Sequence, residues 1–570
     1  MSIRSLLAAA SITALSLSVA LVCAEDVGVT TKDEAQAPAL ERGNLSPRVV
    51  DGIAQRLVQS FDSAHGGFGT GSKFPAEGPI ALGLRRYAED GDQQMLGTVT
   101  KTLDEIARGG IHDHVGGGFH RDAVDRAWHI PRFEKLDYVN AQLLTAYLHA
   151  YQATGRARYR EVAESIITYT NRVLSDQARG GFFARQDADA QPGDGGSYYT
   201  WDPSEVEAAL PREDAEVIVR YYGVTPPGNL PGSPGRTVLR IVTAPETIAR
   251  ELSRPVSTVQ AQIASGTARL LEARNKRQAP SVDPTFLADR NGMMISAYFE
   301  AYRVLRRDDV KAFAVKSLER VLSELRAEDG DLSHADTHGR PRVPALLNDY
   351  AWVSTALCQG FQATGEFRYL ISAREVMDRA LLVLWDPVDG GFFDFRPDGT
   401  SGAPNPTPPK TFRDSTVPAP NAVAALVLDQ LAELTNAEVY RRKADQLLKA
   451  FAGSNAGEGQ LAATSALALD LHLRPSPHAV IIGPLSDPRT LALWQAALGA
   501  FRPGVIVAAY DPSAVKPDDL PPPVAAAMQN TRALGVPRAY ICTVTSCSLP
   551  VTDPAAVAKL LATFGRRRGG

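Results

Sequence analysis

"LLTAYLHAYQATGRARYREVAESI" (Leu143–Ile166) and "STALCQGFQATGEFRYLISAREV" (Ser354–Val376) are two distant copies of one unit. Each places Gln-Ala-Thr-Gly at the end of an apolar helix, then an aromatic residue and a second helix rich in Ala, Val and Glu. Glycine enters the left-handed conformation at least cost, so Gly155 and Gly365 predict the end of the first helix. The unit is a helical hairpin. Weaker copies occur at "LGLRRYAEDGDQQMLGTVTKTLDEI", "SAYFEAYRVLRRDDVKAFAVKSLERVL" and "ALVLDQLAELTNAEVYRRKADQLLKAF", so five hairpins of one design are visible.

A second element recurs after the hairpins, at Gly66, Gly116, Gly180, Gly330 and Gly390, in segments such as "GGFFARQDAD" and "GGFFDFRPDG". Paired glycines allow a sharp reversal and the aromatic anchors it. Hairpins of a fixed unit cannot bury both faces alone and must stack side by side. Five or six of them predict a mainly α fold, an (α/α)6 toroid over residues 45–474, with the glycine loops gathered over one mouth. From Pro475 the pattern changes to short β-branched runs, "HAVIIGPL", "GVIVAAYDP" and "RAYICTV", alternating with helical segments. Residues 475–570 are therefore expected to form a small α/β subdomain with parallel strands and a final helix at "DPAAVAKLLATF".

At the start, Arg4 precedes an uncharged run from Ser5 to Val22 and a small-residue site at Val22-Cys23-Ala24. Residues 1–24 read as a signal peptide and 25–44 as a flexible leader, which predicts a secreted or periplasmic protein. No later run is long and apolar enough to span a membrane. The net charge of −4, from 60 Lys and Arg against 64 Asp and Glu, gives no footprint for nucleic acid. Of the four cysteines, Cys542 and Cys547 are a disulfide candidate in an oxidising compartment, while Cys358 sits in an apolar helix.

The densest chemistry lies in "GGIHDHVGGGFHRDAVDRAWHIPRFEKLDY", residues 109–138. Its His-x-His pair lacks a third ligand at helical spacing, so neither metal nor cofactor is expected. Glu134 precedes an apolar helix, where the helix dipole favours a carboxylate. Asp187 and Asp189 follow the Gly-Gly-Phe-Phe turn at Gly180, and Asp349 stands at the start of the second copy's helix as Asp137 does in the first. Carboxylates converging on one cleft would suit acid–base work on a sugar, making Glu134, Asp187, Asp189 and Asp349 the catalytic candidates. The competing reading makes the aspartates helix caps and loop ties. Substrate-binding candidates are His120, Arg121, Trp128, His129, Arg132, Tyr138, Tyr199, Trp201, Asn291 and Tyr350. His149, His472 and His478 read as satisfied core histidines.

Together "GGFGTGSKFP", residues 109–135, "GGFFARQDADA", "GGSYYTW", "NGMMISA", "PALLNDYAW" and "YICTVTSCSLPVTDP" closely resemble the thioredoxin-domain-containing, spermatogenesis-associated family, from about Pro47 onward. The resemblance implies a six-hairpin, glycosidase-like barrel similar to that of N-acylglucosamine 2-epimerases. The family's N-terminal thioredoxin-like domain has no expected counterpart ahead of Pro47, which removes the usual carrier of a thiol role. Where the family reads Pro-His-Phe-Glu-Lys, this chain has Arg132 in place of the histidine, so an epimerase mechanism resting on that histidine is not expected. The leading expectation is a carbohydrate-active enzyme, hydrolase or epimerase in style, acting on a small carbohydrate or glycan. A non-catalytic sugar- or partner-binding protein is the alternative, and a thiol redox accessory protein the weaker one.

Overall fold

The computed structural model describes residues 40–336, 343–397, 408–516, 520–543 and 546–564; the expected signal peptide and most of the expected leader lie outside them. Six helices form a closed inner ring: Glu77–Asp90, Asp137–Thr154, Ala288–Leu305, Leu347–Thr364, Pro420–Thr435 and Ala463–Leu473. Each packs on the next and the last returns to the first. The first five are backed by the outer helices that follow them in the chain: Gln93–Arg108, Ala157–Tyr169, Asp308–Arg320, Phe367–Val383 and Glu438–Ala456. The sixth pair is non-local, because Pro47–Ser60 at the start of the ring packs on Ala463–Leu473 at its end. This closes the (α/α)6 toroid.

Burial separates the two layers. Pro47–Ser60 buries one stripe, Val50, Ile53, Ala54 and Leu57, as an amphipathic surface helix does. Asp137–Thr154 is buried round most of its circumference, with every residue from Val139 to Leu144 inside. Gly91, Gly155 and Gly365 end their inner helices in the left-handed conformation. Arg306 and Asn436 do the same without glycine's freedom.

Four of the glycine-rich reversals share one hydrogen-bond circuit. Gly66 N–H donates to the carbonyl of Asp62, and Asp62 N–H to that of Gly67; the pattern repeats at Asp113, Asp176 and Asp386. A cation then bridges the aspartate carboxylate and a turn carbonyl. Lys73 Nζ reaches Asp62 at 3.0 Å and Gly66 O at 2.7 Å. Lys135 reaches Asp113 and Gly117 O at 2.5 and 2.8 Å, and Lys410 reaches Asp386 and Gly390 O at 2.5 and 2.9 Å. Arg320 does the same for Asp176 and Gly180 O.

An asparagine near the start of the next inner helix grips the aromatic that follows the turn. Asn140, Asn291 and Asn421 accept from the N–H of Phe119, Phe182 and Phe392 and donate back to their carbonyls. Asn291, proposed above as a substrate contact, is fully buried in this clamp and is structural. Gly181, at φ +93°, needs its missing side chain as well, since a Cβ there would stand 2.4 Å from the Phe286 ring.

Between the second and third hairpins an insertion carries helices Pro203–Ala209, Arg212–Tyr222, Pro245–Glu251 and Val256–Arg274. Its last residue, Arg274, donates twice to Asp113, at 2.8 and 2.9 Å, tying the insertion to the second turn. Beyond the ring, strand His478–Ile482 lies between Ile506–Tyr510, parallel to it, and Arg538–Cys542, antiparallel to it. The expected all-parallel sheet is thus corrected at its last strand, because β-branched runs specify a strand but not its direction. Cys542 and Cys547 are bonded to each other and Cys358 is buried and free. Among the described residues no helix is long and apolar enough to cross a membrane.

Replacing Asn291 by Ala leaves a buried N–H and C=O of Phe182 without partners, and a loss of about 2–4 kcal/mol in urea unfolding is expected. Unchanged stability would return Asn291 to the list of ligand contacts.

Candidate functional site

Most of the residues singled out from the sequence are committed to the scaffold. Trp128 is wholly buried and donates Nε1–H to His65 O at 3.0 Å. His120 is buried edge-on to Phe133 and Tyr199, its Nδ1 2.7 Å from Phe133 O, and burial drives it down to about 3. Tyr199 stacks on Phe133, and Trp201 lies under Arg277, 4.0 Å from the ring centre. His129 Nε2 faces Arg240 at 3.3 Å, Arg132 pairs with Asp122 at 2.6 Å, and Tyr350 donates its hydroxyl to Asp331.

The catalytic candidates do not converge. Strand Lys135–Leu136 pairs with Arg185–Gln186, and that register, continued one residue, sets Glu134 opposite Asp187. Both are partly exposed, Glu134 paired with Arg121 at 2.8 Å and Asp187 accepting from Ser281 Oγ. Asp189 accepts Gly196 N–H and fixes its loop. Asp349 is fully buried, with the N–H groups of Leu346 and Asp289 at 2.7 and 3.0 Å and His334 Nδ1 at 3.0 Å. Asp289, His334 and Asp349 bring one possible ligand atom each within 4.8 Å of one another. The His334–Asp349 ion pair consumes that geometry: burial opposes protonation of His334, yet Asp349 holds it up at about 9. Nearby, Arg290 lies over the Tyr138 ring and reaches Asp137 at 3.3 Å.

The space enclosed by the ring is elsewhere. A cavity of about 300 Å³ lies on the toroid axis, lined by all six inner helices and floored by residues of the C-terminal unit. Its wall is a set of matched positions. Gln142, Met293 and Trp352 are each the sixth residue of an inner helix; His149, Glu300 and Gln359 the thirteenth; Gln152, Arg303 and Gln362 the sixteenth. Glu77 adds a carboxyl from the first inner helix and Asp429 one from the fifth.

His149 Nε2 stands 3.1 Å from Glu300. Burial works against ionising Glu300, but Arg303, His149 and Arg306 outweigh it and bring that carboxyl down to about 2. Glu77 moves the opposite way: burial, helped by Asp414 and opposed by His149, pushes it up to about 7. One cavity thus holds a carboxyl protonated near neutrality and a carboxylate that stays ionised. Ser296 Oγ, Trp352 Nε1 and Gln359 Oε1, all in this wall, make no hydrogen bond among the described residues.

Sequence reasoning passed over His149, Glu77 and Glu300 because on helices buried all round they resemble satisfied core polar groups. The signal was present in "AYLHAY" and "AYFEAY", which align His149 with Glu300.

The fold and this axial wall define an (α/α)6 toroid with a polar cavity on its axis. Residues 80–196 match the N-acylglucosamine 2-epimerase (GlcNAc 2-epimerase) family model. Spermatogenesis-associated protein 20 of Homo sapiens is 32% identical over 551 residues, spanning 89% of this chain and 68% of that protein. Its Mus musculus counterpart is 31% identical over 550 residues, with the same coverage. The chain belongs to the spermatogenesis-associated protein 20 family. Among solved structures, D-mannose isomerase is similar with a TM-score of 0.49 and 11% identity over 75% of this chain and 97% of that one.

Glu77 titrates at its ordinary 4.5 in the unfolded chain and about 7 in the folded one, so the folded state holds an extra proton between those values. Its cost to stability is absent below 4.5, grows as pH rises, and is complete above 7. Glu77→Gln should therefore gain on the parent by on the order of 3 kcal/mol between pH 4.5 and 8 in urea unfolding. An offset constant with pH would show that Glu77 is not held protonated.

Proposed function

We propose that this protein is a carbohydrate-active enzyme of the acid–base type, with the axial cavity as its active site. The observation that carries this reading is the split of two carboxyls facing one cavity, Glu77 raised to about 7 and Glu300 lowered to about 2. Environments that push two carboxyls apart in this way assign a proton donor and a charged partner.

Glu77 supplies the proton at neutral pH. Glu300, ionised, pairs with His149 Nε2 at 3.1 Å, which fixes the orientation of the imidazole beside the cavity and makes it the candidate proton acceptor. A sugar hydroxyl both donates and accepts, so it suits a wall that carries the polar side chains of Gln142, Thr145 and His149. Trp352, half-buried in the same wall, supplies aromatic surface of the kind that suits a sugar ring. The N-acylglucosamine 2-epimerase match over residues 80–196 supports sugar chemistry and includes His149. We further infer a secreted or periplasmic location, supported by the uncharged N-terminal run and by the Cys542–Cys547 bond, which suits an oxidising compartment.

The test is a panel of reducing sugars, including N-acetylglucosamine, mannose and cellobiose. Deuterium uptake from D2O is followed by NMR and glycosidic cleavage by release of reducing ends. Glu77→Gln and His149→Asn are each expected to lower turnover about 10²–10⁴-fold, whereas Glu134→Gln leaves it within about twofold. Binding without turnover would select the non-catalytic alternative. Turnover that survives both cavity variants would move the site to the rim.

A further inference from the structure

We propose that the C-terminal α/β unit determines substrate size: its segment 495–507 closes the far end of the ring and makes the axial cavity blind. The substrate is then a sugar of one or two units, or the terminal unit of a longer glycan, and not the interior of a polysaccharide. This inference rests on the axial cavity being the sugar site.

The closure is built from hydrogen bonds to the ends of four inner helices. Arg85, almost completely buried, donates to Asp470 Oδ2, Arg474 O and Pro503 O. Gln152 and Arg303 donate to the carbonyls of Gly499 and Leu498, at 3.4 and 3.1 Å. Gln362 Oε1 accepts Val507 N–H at 2.9 Å. Arg502 clamps Glu89 of the first inner helix through two contacts of 2.9 and 3.0 Å, while its Nη1 holds the carbonyls of Leu561 and Phe564 beyond the final helix.

Leu498, Phe501 and Val505 present apolar surface upward as the floor of the cavity. A volume of about 300 Å³ is at the small end of ligand sites, enough for a mono- or disaccharide. A polymer bound through its interior needs space beyond the reacting unit on both sides. The buried Arg85 and Arg502 anchors deny it on one side. Arg502 acts through the loop it holds and is a positioning residue; Phe501 and Leu498 set the depth.

Two measurements test this on the full-length protein. In the first, calorimetry follows β-1,4-linked glucose and α-1,6-linked mannose oligosaccharides of increasing length. Each unit beyond the second is expected to change Kd less than about twofold, and Phe501→Ala to tighten the three-unit ligand about tenfold. Affinity that climbs steadily to long oligosaccharides, or cleavage at internal bonds, overturns the closed floor and leaves the sugar reading standing.

The second measurement needs no sugar. Thr145→Cys, at a half-buried position of the cavity wall and in a Cys358→Ala background, is labelled with methanethiosulfonate reagents carrying either a methyl group or a long polyethylene glycol chain. The small reagent is expected to react and the long one to be retarded at least tenfold, with Phe501→Ala reducing the difference. Equal rates in the parent would mean that the far end is open and would overturn the proposal, whatever sugar binds.

Discussion

The toroid depends on an aspartate–cation pair, buried or half-buried, at four of the six points where an outer helix hands the chain back to the ring. The turn aspartates Asp62, Asp113, Asp176 and Asp386 fold their own backbone, and each is neutralised by a lysine or arginine that also takes a turn carbonyl. Such a pair adds little over an apolar replacement, but stripping one partner leaves an uncompensated buried charge at severe cost. The arrangement is therefore worth more as a specification than as a source of stability. It admits one turn geometry, so each inner helix starts at a defined height. Matched residues such as His149, Glu300 and Gln359 then face the axis at one level.

That alignment concentrates polar groups where water is scarce, and the neighbours decide which stays charged. Glu300 has Arg303 and Arg306 within its field and His149 in contact, enough to outweigh burial. For Glu77 burial outweighs the opposing field of His149, and Asp414 nearby disfavours its charge further. The two are the same residue type in the same cavity, so their difference comes from placement on the ring. The turn cations cannot reach into the axis, because each is bound to its own aspartate and glycine carbonyl.

The same physics explains which parts of the molecule were legible in the sequence. The Gln-Ala-Thr-Gly hairpins were visible because helical period and a C-terminal glycine are local signals. The sixth pair was not, since Pro47–Ser60 and Ala463–Leu473 lie at opposite ends of the ring and share no motif. The histidine- and acid-rich segment 109–138 drew attention through composition, yet its groups are consumed locally. Asp113 is taken by Lys135 and Arg274, Asp125 by the N–H groups of Ala127, His129 and Ile130, and His120 by Phe133 O. The axial groups were disguised by a contrary effect. An inner helix is buried on most sides, so one histidine among "AYLHAY" looks like a satisfied core residue until the hairpins are superposed and the same position reads Glu300.

Wall and floor come from different parts of the chain, and this limits what a match to one part conveys. The N-acylglucosamine 2-epimerase match over residues 80–196 takes in the second inner helix with His149. It stops short of Glu77 on one side and of Glu300, Trp352 and Phe501 on the other. It therefore covers the first two of the six hairpins and one member of the proposed acid–base set, while the partner that orients that histidine and most residues that bound the cavity fall outside it. A ring can keep its hairpins while any of these groups changes, since none of them is part of the Asp–cation–Asn circuit that holds the turns. In this chain the frame and the axial groups are therefore held by separate sets of contacts: the turns by their aspartates and cations, Glu300 by His149 and its arginines, and the floor by Arg85 and Arg502.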